Sequence, residues 1–375
     1  MASAESISPH IAYFISPHGF GHGARACAVM GALGELDPAI EFDIFTTVPR
    51  WFFDQSLDAP FTYEPLLTDI GFVQKTPLVV DLPETVRRLD DFFPVDQNRI
   101  DSLAAGIKEK GCRIILCDIS PLGILVAGKA GVPSILIENF TWDWLYEGYQ
   151  EEMPQVGRHI SYLKKLFERA DFHIQTEPVC LSSNADLTTY PVSRKPRISR
   201  KEVRESLGIS ENRKMVMVTM GGTPEHFPFL GHLEKCQDVC FVVSGGSEQA
   251  RSSENLILIP QHSDFFHPDL VWASDAVIGK AGYSTIAEIY YAGVPFGYIP
   301  RKGFRESKAL ESFIRKEMGA VTLDEEDFYK GDWLSLLPRL LELPPMKRKG
   351  HWGADQAARF IYNILTSAPL SRKGT

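Results

Sequence analysis

The sequence has no surplus of positive charge, no paired cysteines and no long apolar run. Lys and Arg number 39 against 48 Asp and Glu, a formal net charge of −9. Binding to a nucleic-acid polymer rests on many Lys/Arg–phosphate contacts, so that class is set aside. A single diphosphate stays open, because backbone N–H groups can hold one without net positive charge. The six cysteines (27, 112, 117, 180, 236 and 240) form no C-x-x-C pair and no zinc spacing. In a chain of this size they are expected to be reduced and buried. No apolar stretch approaches the roughly 20 residues of a membrane span. The first residues, MASAESISPHIAYFIS, lack the basic region and small-residue cleavage site of a secretory signal, so a cytoplasmic protein is expected. No 20–50-residue repeat or low-complexity tract occurs. No Asp-x-Asp pair at a strand end offers itself to a divalent metal, and neither metal nor cofactor is expected.

What is present is a long α/β pattern. At 375 residues the chain exceeds one ordinary hydrophobic core. Short apolar runs recur at 11–16, 42–47, 113–118, 134–138 and 172–176. They resume at 215–220, 241–244, 256–260, 276–279, 296–300 and 320–323. Each leads through a Gly- or Pro-containing turn to a helical pattern, as parallel strands covered on both faces require. Between the two sets lies YPVSRKPRISR (190–200), with two prolines and four basic residues, read as an interdomain linker. Ser199 and Glu202 then fit a capping box for a helix ending at Gly208. A last amphipathic helix is expected over 354–365. The expected fold class is α/β, with two doubly wound, Rossmann-like domains facing across a cleft. The first domain takes in 1–195 and the second 196–350. Residues 351–375 form a helix and tail expected to pack back on the first domain. In such sheets ligands bind beyond the carboxyl ends of the strands.

The first strand runs into Pro17-His18-Gly19-Phe20-Gly21-His22-Gly23-Ala24-Arg25 and then a helix. Glycines let backbone approach a ligand closely, and the helix start offers amide donors. Gly19, Gly21 and Ala24 satisfy the spacing of a dinucleotide fingerprint. The acid that should end the second strand is missing, since Asp43 lies mid-strand, and the nicotinamide reading is weak. The histidines are the informative departure. His22 and His18 either supply a base titrating near neutral pH or merely hydrogen-bond the loop. Arg25 suits a structural salt bridge and an anion contact equally. Asp118 ends a strand, and Trp142 and Trp144 flank Asp143 after another strand end. These suit either sugar stacking at a cleft or domain packing.

In the second half a strand ends in Gly221-Gly222-Thr223. Another leads into Gly279-Lys280-Ala281-Gly282-Tyr283-Ser284-Thr285 and a helix bearing Glu288. Lys280 offers a point charge to a diphosphate, and Glu288 can accept both hydroxyls of a ribose beside it. The plainer reading is a pair of tight α/β turns with a surface acid.

These residues together resemble the GT-B glycosyltransferases, in particular the peptidoglycan N-acetylglucosaminyltransferase type. They are more similar still to the N-terminal, glycosyltransferase-like half of plant L-arabinokinase. The likeness spans most of 10–366. It includes His18–His22, Asn139–Trp144, Ser199–Arg204 and Gly279–Tyr283. It covers no sugar-kinase part and implies no kinase activity. The resemblance implies that His22 is the base near the reacting sugar. Gly221, Gly222 and Thr223 would hold the diphosphate, helped by Gly282, Ser284 and Thr285. Glu288 would hold the ribose, and the segment around Glu306 would touch the donor sugar. Where the peptidoglycan enzyme carries paired glutamines, this chain has Ser307 and Lys308, which leaves the donor sugar open. The Glu-x7-Glu pair of many retaining enzymes is absent, with Lys280 and Phe296 at the flanking positions, and implies inversion.

The resulting expectation is an inverting, metal-independent transfer from a nucleoside-diphosphate sugar, UDP-linked, to a sugar, glycan or lipid-linked hydroxyl. The rivals are a non-catalytic nucleotide-sugar-binding protein and a sugar-nucleotide 2-epimerase of the same fold. The epimerase would want several carboxylates about the sugar, and the sequence offers only Glu306 and Asp118.

Overall fold

The computed structural model describes residues 9–76, 79–221, 227–346, 348 and 351–367. It divides into two compact units. The first takes in Met1–His18, His22–Val192 and His351–Thr375; the second takes in Gly19–Gly21 and Ser193–Gly350.

The first unit is built on a seven-stranded parallel sheet. Its strands lie in the order Phe61–Pro65, Glu41–Thr46, His10–Ile15, Cys112–Asp118, Ser134–Glu138, Phe172–Thr176 and Leu187–Thr189. The central strands are buried almost throughout, as covering both faces of a sheet demands. The helix Phe20–Leu36 is rich in Gly and Ala and is buried from His22 through Met30. A helix with so little polar surface belongs in an interior. The helix Gly353–Thr366 belongs to this unit. Its Gln356 accepts from the Tyr190 amide at 2.9 Å, and Phe360 meets Phe172 edge-on.

The second unit has its own seven-stranded sheet. The order is Arg251–Ser252, Leu256–Ile259, Val239–Ser244, Lys214–Thr219, Ala276–Lys280, Phe296–Ile299 and Ala320–Thr322, with only Arg251–Ser252 antiparallel. Its core gathers Met215, Met217, Val242, Ile257, Ile286 and Leu310. The helix Arg200–Ser206 opens with the expected capping box between Ser199 and Glu202. All six cysteines are free, and four are buried.

In both sheets the strand order reverses beside the first strand of the unit. His10–Ile15 has Glu41–Thr46 on one side and Cys112–Asp118 on the other. Lys214–Thr219 lies likewise between Val239–Ser244 and Ala276–Lys280. A crevice opens beyond the carboxyl ends of strands at such a reversal. Residue pairs Ile15–Asp118 and Thr219–Gly279 mark the two places.

The helix Pro121–Ala130 seats closely behind the first of them. A Cβ added at Gly123 would lie 2.6 Å from Cys117 Sγ and 2.9 Å from Phe14 Cβ. Gly123→Ala is therefore expected to lower stability by about 1–3 kcal/mol through overpacking. An unshifted urea midpoint would show that this helix is free to move off the sheet.

Candidate functional site

At the first reversal a buried acid organises the surroundings. Asp118 is the last residue of its strand and has no exposed surface. Arg25 grips it twice, Nε to Oδ2 and Nη2 to Oδ1, both at 2.7 Å. Arg25 Nη1 also donates to Asn139 Oδ1 at 2.8 Å. His22 Nδ1 lies 2.7 Å from Asp118 Oδ1. His22 and Arg25 share a helix face because they are three residues apart. Burial alone would raise the Asp118 pKa. The Arg25 charge and its hydrogen bonds, joined by His22, overcome that and hold the carboxyl below its ordinary range. An ionised Asp118 only accepts, so His22 Nδ1 carries the proton and Nε2 is the ring's basic atom.

The backbone beside Asp118 is strained. Ile119 adopts φ 42°, a left-handed value uncommon for a β-branched residue. Its amide donates to Ile137 O, and the Ser16 amide donates to Asp118 O. Ser120 follows as the cap of the next helix.

Aromatic rings line the same place. The Trp142 ring centroid lies 6.1 Å from that of His22 and 5.3 Å from that of His18, and Phe140 lies 6.2 Å from His22. His18, half-buried, also packs against Gly71. Trp142 is 1% exposed and Asp143 is buried, with burial pushing the Asp143 pKa up. Gly21 sits in the first turn of the helix with its backbone half-buried. The structure thus brings His22, Arg25, Asp118 and Trp142 together, with the His18 ring also in edge contact with Trp142. Asn139, which the sequence offered only as the start of the segment Asn139–Trp144, belongs to this neighbourhood, and so does Asp69, which carried no signal in the sequence. Asp69 accepts from Ser16 Oγ at 3.0 Å and is fully buried.

At the second reversal another acid is enclosed. Glu288, 2% exposed, sits in the helix Tyr283–Ala292. Arg194 Nη2 donates to its Oε1 at 2.9 Å, and His267 Nδ1 lies 2.6 Å from Oε2. Burial opposes ionisation, but the Arg194 and His267 charges hold the Glu288 pKa low. The second of its oxygens keeps a lone pair beyond these bonds. His267 Nε2 faces Thr219 Oγ1 at 3.4 Å, and Gly221 N donates to that same hydroxyl at 3.2 Å. Gly221 has φ 76°, and a Cβ there would lie 3.2 Å from Lys280 Cε. Gly282 caps the helix without a side-chain acceptor on the first amides, and Ser284 and Thr285 form its first turn. Gly279 is fixed by contact: a Cβ would fall 2.0 Å from Thr219 O. Glu306 pairs with Arg301 at 2.8 Å and stands just before the helix Ser307–Glu317, with no side-chain bond to its first amides. Gly222 and Thr223 lie outside the described residues. Arg194 and His267 went unread in the sequence. Arg194 lies in the basic stretch taken for a linker, yet it is buried. A cavity of about 480 Å³ opens at the sheet edge, lined by Arg251, Ile257, Ile259, His262 and Phe265.

These features define a class of fold. Its two Rossmann-like units, each with a parallel sheet reversing beside its first strand, are those of the GT-B glycosyltransferases. Over 96% of this chain and 99% of that chain, the structure superposes on a UDP-glucosyltransferase from Polygonum tinctorium (TM-score 0.64, 13% identity). MurG from Acinetobacter baumannii matches over 95% of this chain and 99% of that chain (TM-score 0.52, 16% identity). In sequence, the chain is 28% identical over 364 residues to L-arabinokinase of Arabidopsis thaliana, covering 96% of this chain and 35% of that protein. It is 24% identical over 271 residues to a UDP-N-acetylglucosamine–N-acetylmuramyl-(pentapeptide) pyrophosphoryl-undecaprenol N-acetylglucosamine transferase of Bacillus licheniformis. That match covers 64% of this chain and 69% of the transferase. The chain therefore spans about a third of the length of L-arabinokinase. No protein-family model matches it. No described helix is long and apolar enough to cross a membrane.

The buried Asp69 generates a test. Burial raises its pKa to about 8, against the lowering effect of the hydrogen bond from Ser16; the nearby Asp118 charge adds to the rise. The folded chain then holds a proton that the unfolded chain releases near pH 4. Between these values the folded state binds more protons, so this residue's contribution to stability falls as pH rises. Asp69→Asn is expected to remove that slope and to stabilise the chain more at pH 8 than at pH 4, by up to a few kcal/mol. Equal effects at both pH values in denaturant titrations would mean that Asp69 is ionised when folded.

Proposed function

We propose that the chain is a glycosyltransferase that moves a sugar from a nucleoside-diphosphate donor, UDP-linked, to a hydroxyl acceptor with inversion. One observation carries the reading: an imidazole held at Nδ1 by a buried, ionised carboxylate at the strand-order reversal of a GT-B fold. Such a pair removes a proton through Nε2 while the carboxylate stabilises the imidazolium that forms. The acceptor oxygen would attack the anomeric carbon as its proton passes to His22 Nε2. The bond from that carbon to the diphosphate oxygen would break on the opposite face, and the nucleoside diphosphate would leave with the electron pair.

The second unit would hold the donor. Lys280 and the amides at the start of the helix Tyr283–Ala292 suit the diphosphate, where negative charge develops as the bond breaks. Gly221, Gly282, Ser284 and Thr285 would serve the same diphosphate. Glu288 would use its remaining lone pair toward the ribose, and Glu306 the donor sugar. The 480 Å³ cavity beside Ile259 and Phe265 has the size and apolar lining for a nucleoside base. On the acceptor side, half-buried His18 and buried His22 both pack on Trp142, itself enclosed, with Asp143 next to it in the chain. A sugar, glycan or lipid-linked acceptor fits this description. No metal enters the reading, because fixed positive groups would meet the leaving charge.

The test is release of UDP from UDP-sugars presented with a panel of glycan and lipid-linked acceptors. His22→Ala is expected to lower kcat by about 10²–10⁴-fold, as loss of a general base does. Asp118→Asn should lower kcat with little change in donor KM. Full turnover in either variant would remove that residue from the chemistry. Nucleotide-sugar binding with no transfer would favour a non-catalytic binder, and an altered sugar epimer without UDP release would favour the epimerase.

A further inference from the structure

We propose that His267 is the side chain that takes the donor's diphosphate, and that Glu288 acts through it as a positioning residue. The proposal rests on the transferase reading, which supplies the nucleotide sugar, and goes beyond it by assigning the contact.

The geometry has three parts. First, the Glu288 Oε2 contact at 2.6 Å fixes the ring by its Nδ1 and leaves Nε2 as the presenting atom. Second, that atom is poorly served. Its neighbour Thr219 Oγ1 lies 3.4 Å away, beyond the usual range for a nitrogen–oxygen hydrogen bond, and the ring retains a quarter of its surface. Third, the position is where a phosphate would arrive. Thr219 and Lys280 end adjacent strands, the Gly221 amide bonds to the Thr219 hydroxyl, and the Lys280 stem passes Gly221.

Charge explains why an imidazole suits this place. Arg194 and Glu288 form a buried pair whose charges cancel. The protonation state of His267 then decides the sign of its edge. Neutral, Nε2 presents a lone pair that repels a phosphate oxygen. Protonated, it donates a charge-assisted hydrogen bond. Binding should therefore take up a proton. The groups touching the ring are Glu288 from its helix and Thr219 from its strand, while Arg194, from the segment before Arg200, bonds the other oxygen of Glu288 and lies 4.9 Å from the Phe266 ring. Arg197 and Asp269 lie around the neighbouring Phe266, the Arg197 guanidinium 4.5 Å from that ring and Asp269 Oδ1 accepting from the Arg197 amide.

The probe is UDP-glucose, because both its phosphates are esterified and neither titrates between pH 5.5 and 8.5. Calorimetry on the full chain should show affinity falling about tenfold from pH 6 to pH 8, the scale of one charge-assisted bond. Buffers of differing ionisation enthalpy should report proton uptake at pH 7.5. His267→Gln should bind about tenfold more weakly at pH 6, the scale of one charge-assisted bond, and with a flat pH profile. An unchanged pH slope in His267→Gln overturns the assignment while leaving donor binding intact. A wild-type chain that binds no nucleotide sugar at any pH removes the transferase reading and this assignment together. Should the variant fail to fold, the labelled His267 resonance of the wild-type chain decides. A titration midpoint raised by added UDP-glucose supports the contact, and an unmoved one overturns it.

Discussion

A carboxylate with no exposed surface must be met by positive charge, and in the first unit that requirement falls on Asp118. Taking such an ion out of water costs several kcal/mol unless its partners are well placed. Arg25 meets it with two hydrogen bonds, and its third nitrogen is tied to Asn139. Three elements are thereby locked to one atom group: the helix behind the glycine loop, the strand ending at residue 118 and the turn after Glu138. His22 occupies the side of Asp118 Oδ1 that Arg25 leaves open. The imidazole's orientation is thus a consequence of satisfying the acid.

The second unit repeats this logic with different residues. Glu288 is also buried, also ionised against the cost of burial, and also flanked by one arginine and one histidine bound through Nδ1. Both arrangements sit where strand order reverses, the place at which a parallel sheet opens a crevice. They differ in how much of the ring is offered. His22 is almost enclosed among Phe140 and Trp142, a setting for a base working away from bulk water. His267 keeps a quarter of its surface, a setting for a contact made with an incoming ion.

Much of the architecture was legible because central parallel strands write themselves as continuous apolar runs. Each of the eleven runs read from the sequence is a strand, to within two residues at either end. The strands that escaped notice are at edges or outside the main sheets. Phe61–Pro65 alternates half-buried and exposed residues, and Leu187–Thr189 and Arg251–Ser252 are too short to show a period. The sites were legible only in part, for a different reason. Asp118 and His22 each stood out locally, but they lie 96 positions apart and no local pattern joins them. Arg194 was hidden more thoroughly. In a stretch of four basic residues and two prolines it reads as solvated linker, and only its partner 94 residues later makes it a core residue.

Ile119 shows how fold and site share one strain. A left-handed β-branched residue costs about 1–3 kcal/mol and survives only where its surroundings over-determine it. Here the amide of Ile119 is bonded to the strand on one side and the carbonyl of Asp118 to the segment after the strand on the other. The next residue, Ser120, accepts from the Gly123 amide to start a helix whose close seating depends on that glycine. A relaxed, extended residue 119 would carry the chain straight on and move Ser120 away from its helix. The turn therefore has to be sharp, and the sharpness is what ends the strand with Asp118 still beneath Arg25 and His22. The strained backbone belongs to the same construction as the buried ion pair: one bends the chain at the carboxyl end of the strand, and the other binds the acid that the bend leaves there.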